Sequence, residues 1–273
     1  MKKLLASLMA LGLALSMAAC STTSSDASEP TSSGSSAASG ESAAAADPDK
    51  VWLIATDTVF VPFEYTDENG DFVGIDVDIL AAIAEDQGFK YELNSIGWDG
   101  AVAAVQTGQA DAIIAGASIT DERKESGWIF SDGYYNATQT IAVAEDSTIT
   151  SFEDLRGTSV AVKNGTAGAD YAESLKDEYG FTITYFDDSP TMYQDVIIGN
   201  SSACFEDTPV MISYIKQKGI ALKVPEGLES EGAPYGLAIM NEDNQAFLDM
   251  FNAGLANIKA NGTYDEIIEK YLG

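Results

Sequence analysis

The fold is decided by the stretch Thr158–Phe186, TSVAVKNGTAGADYAESLKDEYGFTITYF. Thr158 to Val162 reads as a strand, Ala167 to Tyr179 as a helix, and Thr182 to Phe186 as a second strand. A helix between two strands buries its apolar stripe on the sheet that the strands form, and such a sheet runs mainly parallel. The rhythm continues on both sides. Ser189-Pro190 reads as an N-cap and first helical residue of a helix that ends at Gly199. Ala203 to Phe205 is a strand, Pro209 to Lys218 a helix and Ala221 to Val224 a strand. Upstream, Ile141 to Ala144 is extended, and Ser151-Phe-Glu-Asp154 has the pattern of a capping box with Asp as its last member.

A first unit of the same kind precedes this one. Val51 to Ala55 is a buried strand, and the runs around Phe63 and Phe72 flank Asn69-Gly70, a hairpin signal. Gly74 to Gln87 carries Ile75, Ile79, Ala82 and Ile83 at helical spacing, with Gly88 suited to its C-terminal cap. Tyr91 to Leu93 is a strand, Trp98 to Thr107 a helix, and Asp111 to Ala115 another strand. After Gly232, the apolar run Tyr235–Met240 leads into two helices, Gln245 to Ala260 and Tyr264 to Tyr271. The chain reads as two α/β units, residues 50–137 and 138–231, and its C-terminal segment is free to join either. In open α/β sheets, ligands sit beyond the carboxyl ends of the strands, so two such units facing each other would make a cleft.

Composition removes whole classes of function. With 45% hydrophobic residues in 273, a sizeable core is expected. A net charge of −29 argues against binding nucleic acid or an anionic membrane surface, which takes Lys/Arg patches. The absence of histidine excludes Ser-His-Asp and Cys-His nucleophile systems and His-ligated metals. Two cysteines, Cys20 and Cys204, are too few for a thiolate metal cluster or a disulfide framework. No metal or other cofactor is therefore expected.

The N-terminus reads as an address. Met1-Lys2-Lys3 is a basic start, and Leu4 to Met17 is uncharged and too short to span a bilayer. Ser16-Met17-Ala18-Ala19-Cys20 places small residues before a single cysteine, the pattern of a bacterial lipobox, in which the cysteine is acylated and becomes the new N-terminus. Ordinary secretion with cleavage near Ala19 is the alternative. Residues 1–20 are thus expected to be a lipoprotein signal peptide, and residues 21–49, rich in Ser and Ala, a flexible linker.

Several strings stand out, four of them directly after a predicted strand: Ala55-Thr-Asp57-Thr-Val-Phe60-Val-Pro-Phe-Glu, Ala115-Gly116-Ala-Ser118-Ile-Thr-Asp-Glu-Arg123, Val162-Lys163-Asn-Gly165-Thr166-Ala167, and Glu206-Asp207-Thr-Pro. With Phe72-Val-Gly-Ile-Asp-Val-Asp78 and Asn261-Gly-Thr-Tyr-Asp-Glu-Ile, they resemble the polar amino-acid family (family 3) of ABC-transporter solute-binding proteins, and its glutamine-binding members most. The motifs keep the family's order over nearly all of residues 50–273. The resemblance implies a type II periplasmic-binding-protein-like α/β fold: two lobes, two hinge strands and a ligand cleft between the lobes. It assigns residues 50–137 plus 232–273 to lobe 1 and 138–231 to lobe 2.

The same resemblance assigns roles within the cleft. Arg123, one of only two arginines in the chain, would take the α-carboxylate bidentately, where the bland alternative is a surface ion pair within Asp-Glu-Arg-Lys-Glu. Asp207 would take the α-ammonium, although its place at a helix start also suits an N-cap. Gly116 and Ser118 would offer backbone groups and a hydroxyl; Thr166 and the Ala167 N–H stand at a helix N-terminus, with Ala167 where the family often has Gly. Phe60 and Trp98 match the aromatic positions that sandwich the ligand, Trp98 standing where the glutamine-binding members have Phe. Asp57 and Lys163 would face the distal end of the ligand side chain, where together they match an amide. Glu206 replaces a His of those members and adds a second carboxylate there. Cys204 lies in a predicted buried strand and reads as core.

The expectation is an extracytoplasmic, lipid-anchored, monomeric receptor that captures a free polar L-amino acid, glutamine foremost, and delivers it to the permease of an ABC importer. It would perform no chemistry. A basic amino-acid-binding protein is the nearest alternative. A lyase resembling cyclohexadienyl dehydratase, with Glu206 as its acid, shares the fold but would not need both α-group ligands. A sensor domain would continue into a membrane helix and a signalling module.

Overall fold

A computed structural model describes residues 49–273; the expected signal peptide, nearly all of the linker and Cys20 lie outside the described residues. In chain order, β1 (Val51–Thr56), a hairpin of β2 (Tyr65–Thr66) and β3 (Phe72–Val73), α1 (Ile75–Gln87), β4 (Lys90–Ser95), α2 (Trp98–Gln106), β5 (Ala112–Ile113), α3 (Asp121–Glu125) and β6 (Ile129–Phe130) lead to β7 (Tyr135–Ala137). Next come β8 (Gln139–Ala144), a 3-10 turn at Phe152–Leu155, β9 (Ser159–Lys163), α4 (Ala167–Tyr179), β10 (Thr182–Phe186), α5 (Ser189–Ile197), β11 (Ala203–Asp207), α6 (Thr208–Lys218) and β12 (Leu222–Lys223). The chain ends with β13 (Ala233–Tyr235), β14 (Ala238–Ile239), a 3-10 turn, α7 (Gln245–Asn261) and α8 (Thr263–Leu272).

These elements build two sheets. One has the order β4-β1-β5-β14-β6, the other β10-β9-β11-β8-β12. The first draws β14 from the far end of the chain; the second is made entirely from residues between Gln139 and Lys223. The chain passes between the sheets twice, and the two passages pair antiparallel as β7 and β13, Tyr135 opposite Tyr235 and Ala137 opposite Ala233. The sheets are less parallel than the alternating rhythm implied. In each, three strands run parallel, while β14 and β6, or β8 and β12, run antiparallel to their neighbours. The strand that directly follows each passage, β8 after β7 and β14 after β13, has no helical crossover before it, so nothing obliges it to run parallel.

In the second sheet the central strands are buried on both faces. Val160, Val162 and Phe205 point to one face, Ala161 and Cys204 to the other, where Met192, Tyr193 and Met211 cover them. Small residues on one face let α5 and α6 approach, and the burial of Cys204 agrees with its reading as core. The first sheet carries α1 and α7 packed on each other through Ile79, Ile83, Phe251, Leu255 and Ile258, all buried. Local signals hold at most ends: Gly88 caps α1 in a left-handed conformation, and Ser151 with Asp154 forms the expected capping box. The start of α5 differs. Asp188, not Ser189, is the N-cap, its carboxylate accepting from the Thr191 N–H at 2.8 Å. A carboxylate is the stronger acceptor, and Ser189 is turned inward instead. Among the described residues, no helix is long and apolar enough to cross a membrane.

Candidate ligand-binding site

Asp57 follows β1, Gly116 and Ser118 follow β5, Lys163 ends β9, and Glu206 and Asp207 end β11. Four of the six parallel strands, β1, β5, β9 and β11, thus deliver polar groups at their carboxyl ends, where side chains leave the sheet and stop packing on the covering helices. Trp98 opens α2, Arg123 lies on α3, and Thr166 caps α4. All eleven of the expected cleft residues, Phe60 and Ala167 included, line one cavity with Ala115. Its empty volume, open solvent at the mouth included, is about 290 Å³. Residues of both sheets line it, so the cavity lies between the two lobes.

Arg123 is held from two sides. Its guanidinium donates to the Ser118 carbonyl at 2.9 Å and, from the other lobe, to the Gly165 carbonyl at 3.3 Å. It lies over the indoles of Trp98 and Trp128, 5.1 and 5.3 Å from their centroids. Burial pulls its pKa down from the usual guanidinium range, while Asp170 and Asp207 oppose that pull. Two of five N–H donors are used by these carbonyls, which fixes the fork and leaves donors for an anion. Thr120 caps α3 by accepting from the Arg123 backbone N–H at 3.2 Å, while the guanidinium is held by the two carbonyls instead of by a carboxylate of its own helix.

Asp207 precedes α6 but makes no capping bond. Its two oxygens accept from Gln139 Nε2 at 2.8 Å and from the hydroxyl of Tyr235. Burial raises its pKa; Tyr235, Gln139 and Arg123 pull it back. Glu206 beside it is turned the other way, accepting from the hydroxyls of Ser189 at 2.7 Å and Tyr193 at 2.8 Å and from the Asp207 N–H at 3.0 Å. Burial first, and then Asp207, raises its pKa. Lys163 does not pair with Glu206. It forms an ion pair with Asp57 across the cleft, both side chains about 95% buried or more, and its ammonium lies 5.4 Å from the Phe60 ring centroid.

The walls are equally determined. Gly116 has a φ of +56°, and a Cβ on it would lie 2.4 Å from the Phe60 ring, so no other residue fits without moving that ring. The Thr166 hydroxyl accepts from the Ala169 N–H at 3.3 Å and donates to the Lys163 carbonyl at 2.8 Å. Ala167, the first residue of α4, lines the same cavity, and the N–H groups of that first turn have no backbone acceptor within the helix. Trp98 donates its indole N–H to the Gly165 carbonyl at 3.1 Å, and Asn164 donates to Asp99 at 3.3 Å, so the lobes are joined beside the cavity as well as through it. Among the described residues, no group of acidic or cysteine side chains is placed to hold a metal.

Sequence reading missed the residues that orient these groups. Tyr235 and Gln139 fix Asp207, Ser189 and Tyr193 fix Glu206, and Trp128 supports Arg123. Tyr235 sits in an apolar run and Ser189 beside a proline, so both look like local structure; nothing in the linear pattern points either at a carboxylate far along the chain.

The family model described as bacterial extracellular solute-binding proteins, family 3, matches residues 53–273. A probable histidine-binding protein of Neisseria gonorrhoeae is 31% identical over all of this chain and 96% of its own. Among solved structures, an ancestral arginine-binding protein bound to arginine is 35% identical with a TM-score of 0.75, covering 82% of this chain and 98% of its own. One bound to glutamine is 34% identical with a TM-score of 0.74 over the same shares. These are two-lobed binding proteins of the type II fold, and the sheet orders and intervening cavity described above agree with that architecture. By sequence, by fold and by the position of its cavity, this chain belongs to the bacterial extracellular solute-binding proteins, family 3, and is a binding protein, not an enzyme.

Proposed function

We propose that the cleft captures a free L-amino acid whose side chain ends in an uncharged amide, glutamine foremost, for delivery to the permease of an ABC importer. The observation that carries the reading is the buried Asp57–Lys163 pair. The two charges cancel, and what remains is a carboxylate acceptor next to an ammonium donor. An amide offers the complementary NH₂ and oxygen. A ligand ammonium or guanidinium beside Lys163 would meet like charge, and a ligand carboxylate would meet Asp57 and Glu206. In this reading Arg123 and the α4 N-terminus take the α-carboxylate, Asp207 the α-ammonium, and Phe60 and Trp98 the aliphatic stem. Gly116 and Ser118 supply the remaining polar contacts.

One observation favours a second reading. The cavity holds three carboxylates, Asp57, Glu206 and Asp207, against two cations, Arg123 and Lys163, so a basic side chain near Glu206 would balance it. Relatives named for histidine and arginine fit that reading, and an ancestral arginine-binding protein is known both bound to arginine and bound to glutamine. Competition calorimetry with glutamine, arginine, lysine, histidine and glutamate decides. Tight glutamine binding with arginine weaker by tenfold or more is expected; tight arginine binding with no response to glutamine overturns the amide reading, and Glu206→His would then move preference back toward the amide. The receptor is further proposed to act as a monomer, tethered to the outer face of the membrane through acylated Cys20. Lobe 1 (50–137 plus 232–273) would close on lobe 2 (138–231).

A further inference from the structure

Two carboxyl groups lie behind the floor of the cleft, in the core of the first lobe. Glu64 is 0% and Asp76 1% exposed. Asp76, in the first turn of α1, accepts with Oδ2 from the Gly116 N–H and from the Tyr134 hydroxyl, both at 2.8 Å. Its Oδ1 and both oxygens of Glu64 have no hydrogen-bond partner among the N–H and O–H groups of the described residues. The Asp76 N–H donates to the Phe63 carbonyl at 2.9 Å and the Ile75 N–H to the Pro62 carbonyl at 3.0 Å, which brings the segments that carry the two carboxyl groups together. Among the described residues, the cation that acts on Glu64, Lys163, is paired with Asp57, which itself adds negative charge there. Two ionised carboxylates would leave three buried oxygens without donors and repel each other, which a folded core does not tolerate. One proton between them satisfies Asp76 Oδ1 and the Glu64 oxygen that carries it, removes the repulsion and leaves a single negative charge, solvated by Gly116 and Tyr134.

We propose that Glu64 is a neutral carboxyl in the folded protein, donating its proton to Asp76, and that this one-proton pair is the positioning device that holds Gly116 in the wall of the cleft. Asp76 then has an acceptor fixed on the Gly116 N–H, which keeps that residue in its left-handed turn against the Phe60 ring. Its bond to Tyr134 ties the same pair to the start of β7, one of the two passages between lobes. Burial raises Glu64 well above the usual carboxyl range, with Asp76 and Asp57 adding to the rise. Burial also raises Asp76, to about 6, against the pull of Gly116, Tyr134 and Glu64. The pair therefore titrates as one unit.

The place of Gly116 in ligand binding rests on the amino-acid reading above; the protonation of the pair does not, and it is tested without ligand. In protein labelled with ¹³C at the glutamate carboxyls, a signal from Glu64 should stay in the neutral form through pH 7, when exposed glutamates have ionised. Glu206→Gln separates it from the other buried glutamate, because the Glu64 signal persists in that variant. Glu64→Gln should lose it and keep the fold, since an amide N–H can donate to Asp76. The sign of the pH effect follows from linkage. A raised folded pKa means the folded state holds a proton that the unfolded chain loses above about pH 4.3. Wild-type stability should therefore fall relative to Glu64→Gln as pH rises from there through the folded pKa, by up to about tenfold in folding equilibrium constant per pH unit. A merely space-filling Glu64 would give parallel curves. Parallel curves, or glutamates that all ionise in the ordinary range, overturn the proposal, and the wild-type titration decides even if Glu64→Gln does not fold.

Discussion

At the scale of single residues, Arg123 and Asp207 carry opposite charge into one cavity. If they clamp the two α-groups of the ligand, removing either leaves a ligand charge unpaired in a closed site, at a cost of about 3–5 kcal/mol, or roughly 10²–10³-fold or more in affinity. Arg123→Ala and Asp207→Ala should each show that loss by calorimetry while circular dichroism reports an intact fold; near-wild-type affinity in both would remove the clamp. Tyr235 refines the expectation. Its hydroxyl stabilises the Asp207 carboxylate against burial, and only the ionised form attracts an ammonium. Affinity should fall on acidification as Asp207 protonates. In Tyr235→Phe the donor is gone, Asp207 titrates higher, and the fall should begin at a higher pH than in wild type; coincident profiles would show that the hydroxyl does not tune this group.

At the scale of elements, the start of α2 and the β9–α4 loop meet across the cleft. The Trp98 N–H donates to the Gly165 carbonyl, which also accepts from Arg123. This bond joins the lobes without any help from a ligand. Trp98→Phe keeps a ring on the wall and deletes the donor, so about 0.5–1.5 kcal/mol of closed-state stabilisation is removed and affinity should weaken by roughly 2- to 12-fold, chiefly through faster dissociation in stopped flow. An unchanged dissociation rate would show that the bond does not contribute to closure. Helix α7 makes a second element-scale case. A Cβ on Gly254 would lie 2.6 Å from Cγ2 of the buried, β-branched Ile83 on α1. Alanine favours a helix over glycine by about 1 kcal/mol, yet overpacking costs about 1–3 kcal/mol, so Gly254→Ala should lower the urea midpoint. Ile83→Leu, which removes the offending methyl, should recover part of the loss in the double variant; a stabilised Gly254→Ala would mean that the helices part freely.

At the scale of the whole molecule, two antiparallel passages, β7 and β13, are the covalent route between the sheets, and polar bonds around one cavity hold the facing surfaces together. A ligand that touches both lobes stabilises the arrangement in which they meet. Small-angle scattering on the proposed monomer should give a smaller radius of gyration with glutamine than without it; no change at saturation would indicate a cleft already closed or rigid. The proposed tether has its own test. Cys20→Ser should release the protein from the membrane fraction, and unaltered membrane association would refute acylation at that residue.

What the linear sequence determined was local and repetitive. Strand–helix alternation, Gly88 past α1, the box at Ser151 and the helix Ala167–Tyr179 follow from periodicity and capping, which act over a few residues and are written wherever those residues occur. The eleven cavity residues were legible through the family resemblance of short strings, most of them at the carboxyl ends of strands, a place the topology reserves for ligands. The tertiary structure alone decided how they are used. The antiparallel strands beside the passages, the pairing of Lys163 with Asp57 instead of Glu206, the inward turn of Ser189, and the hold of Tyr235 on Asp207 join residues far apart in the chain. Burial raises the cost of an unpaired charge so steeply that each buried group takes the partner that three-dimensional packing brings to it, and no local pattern encodes which partner that is.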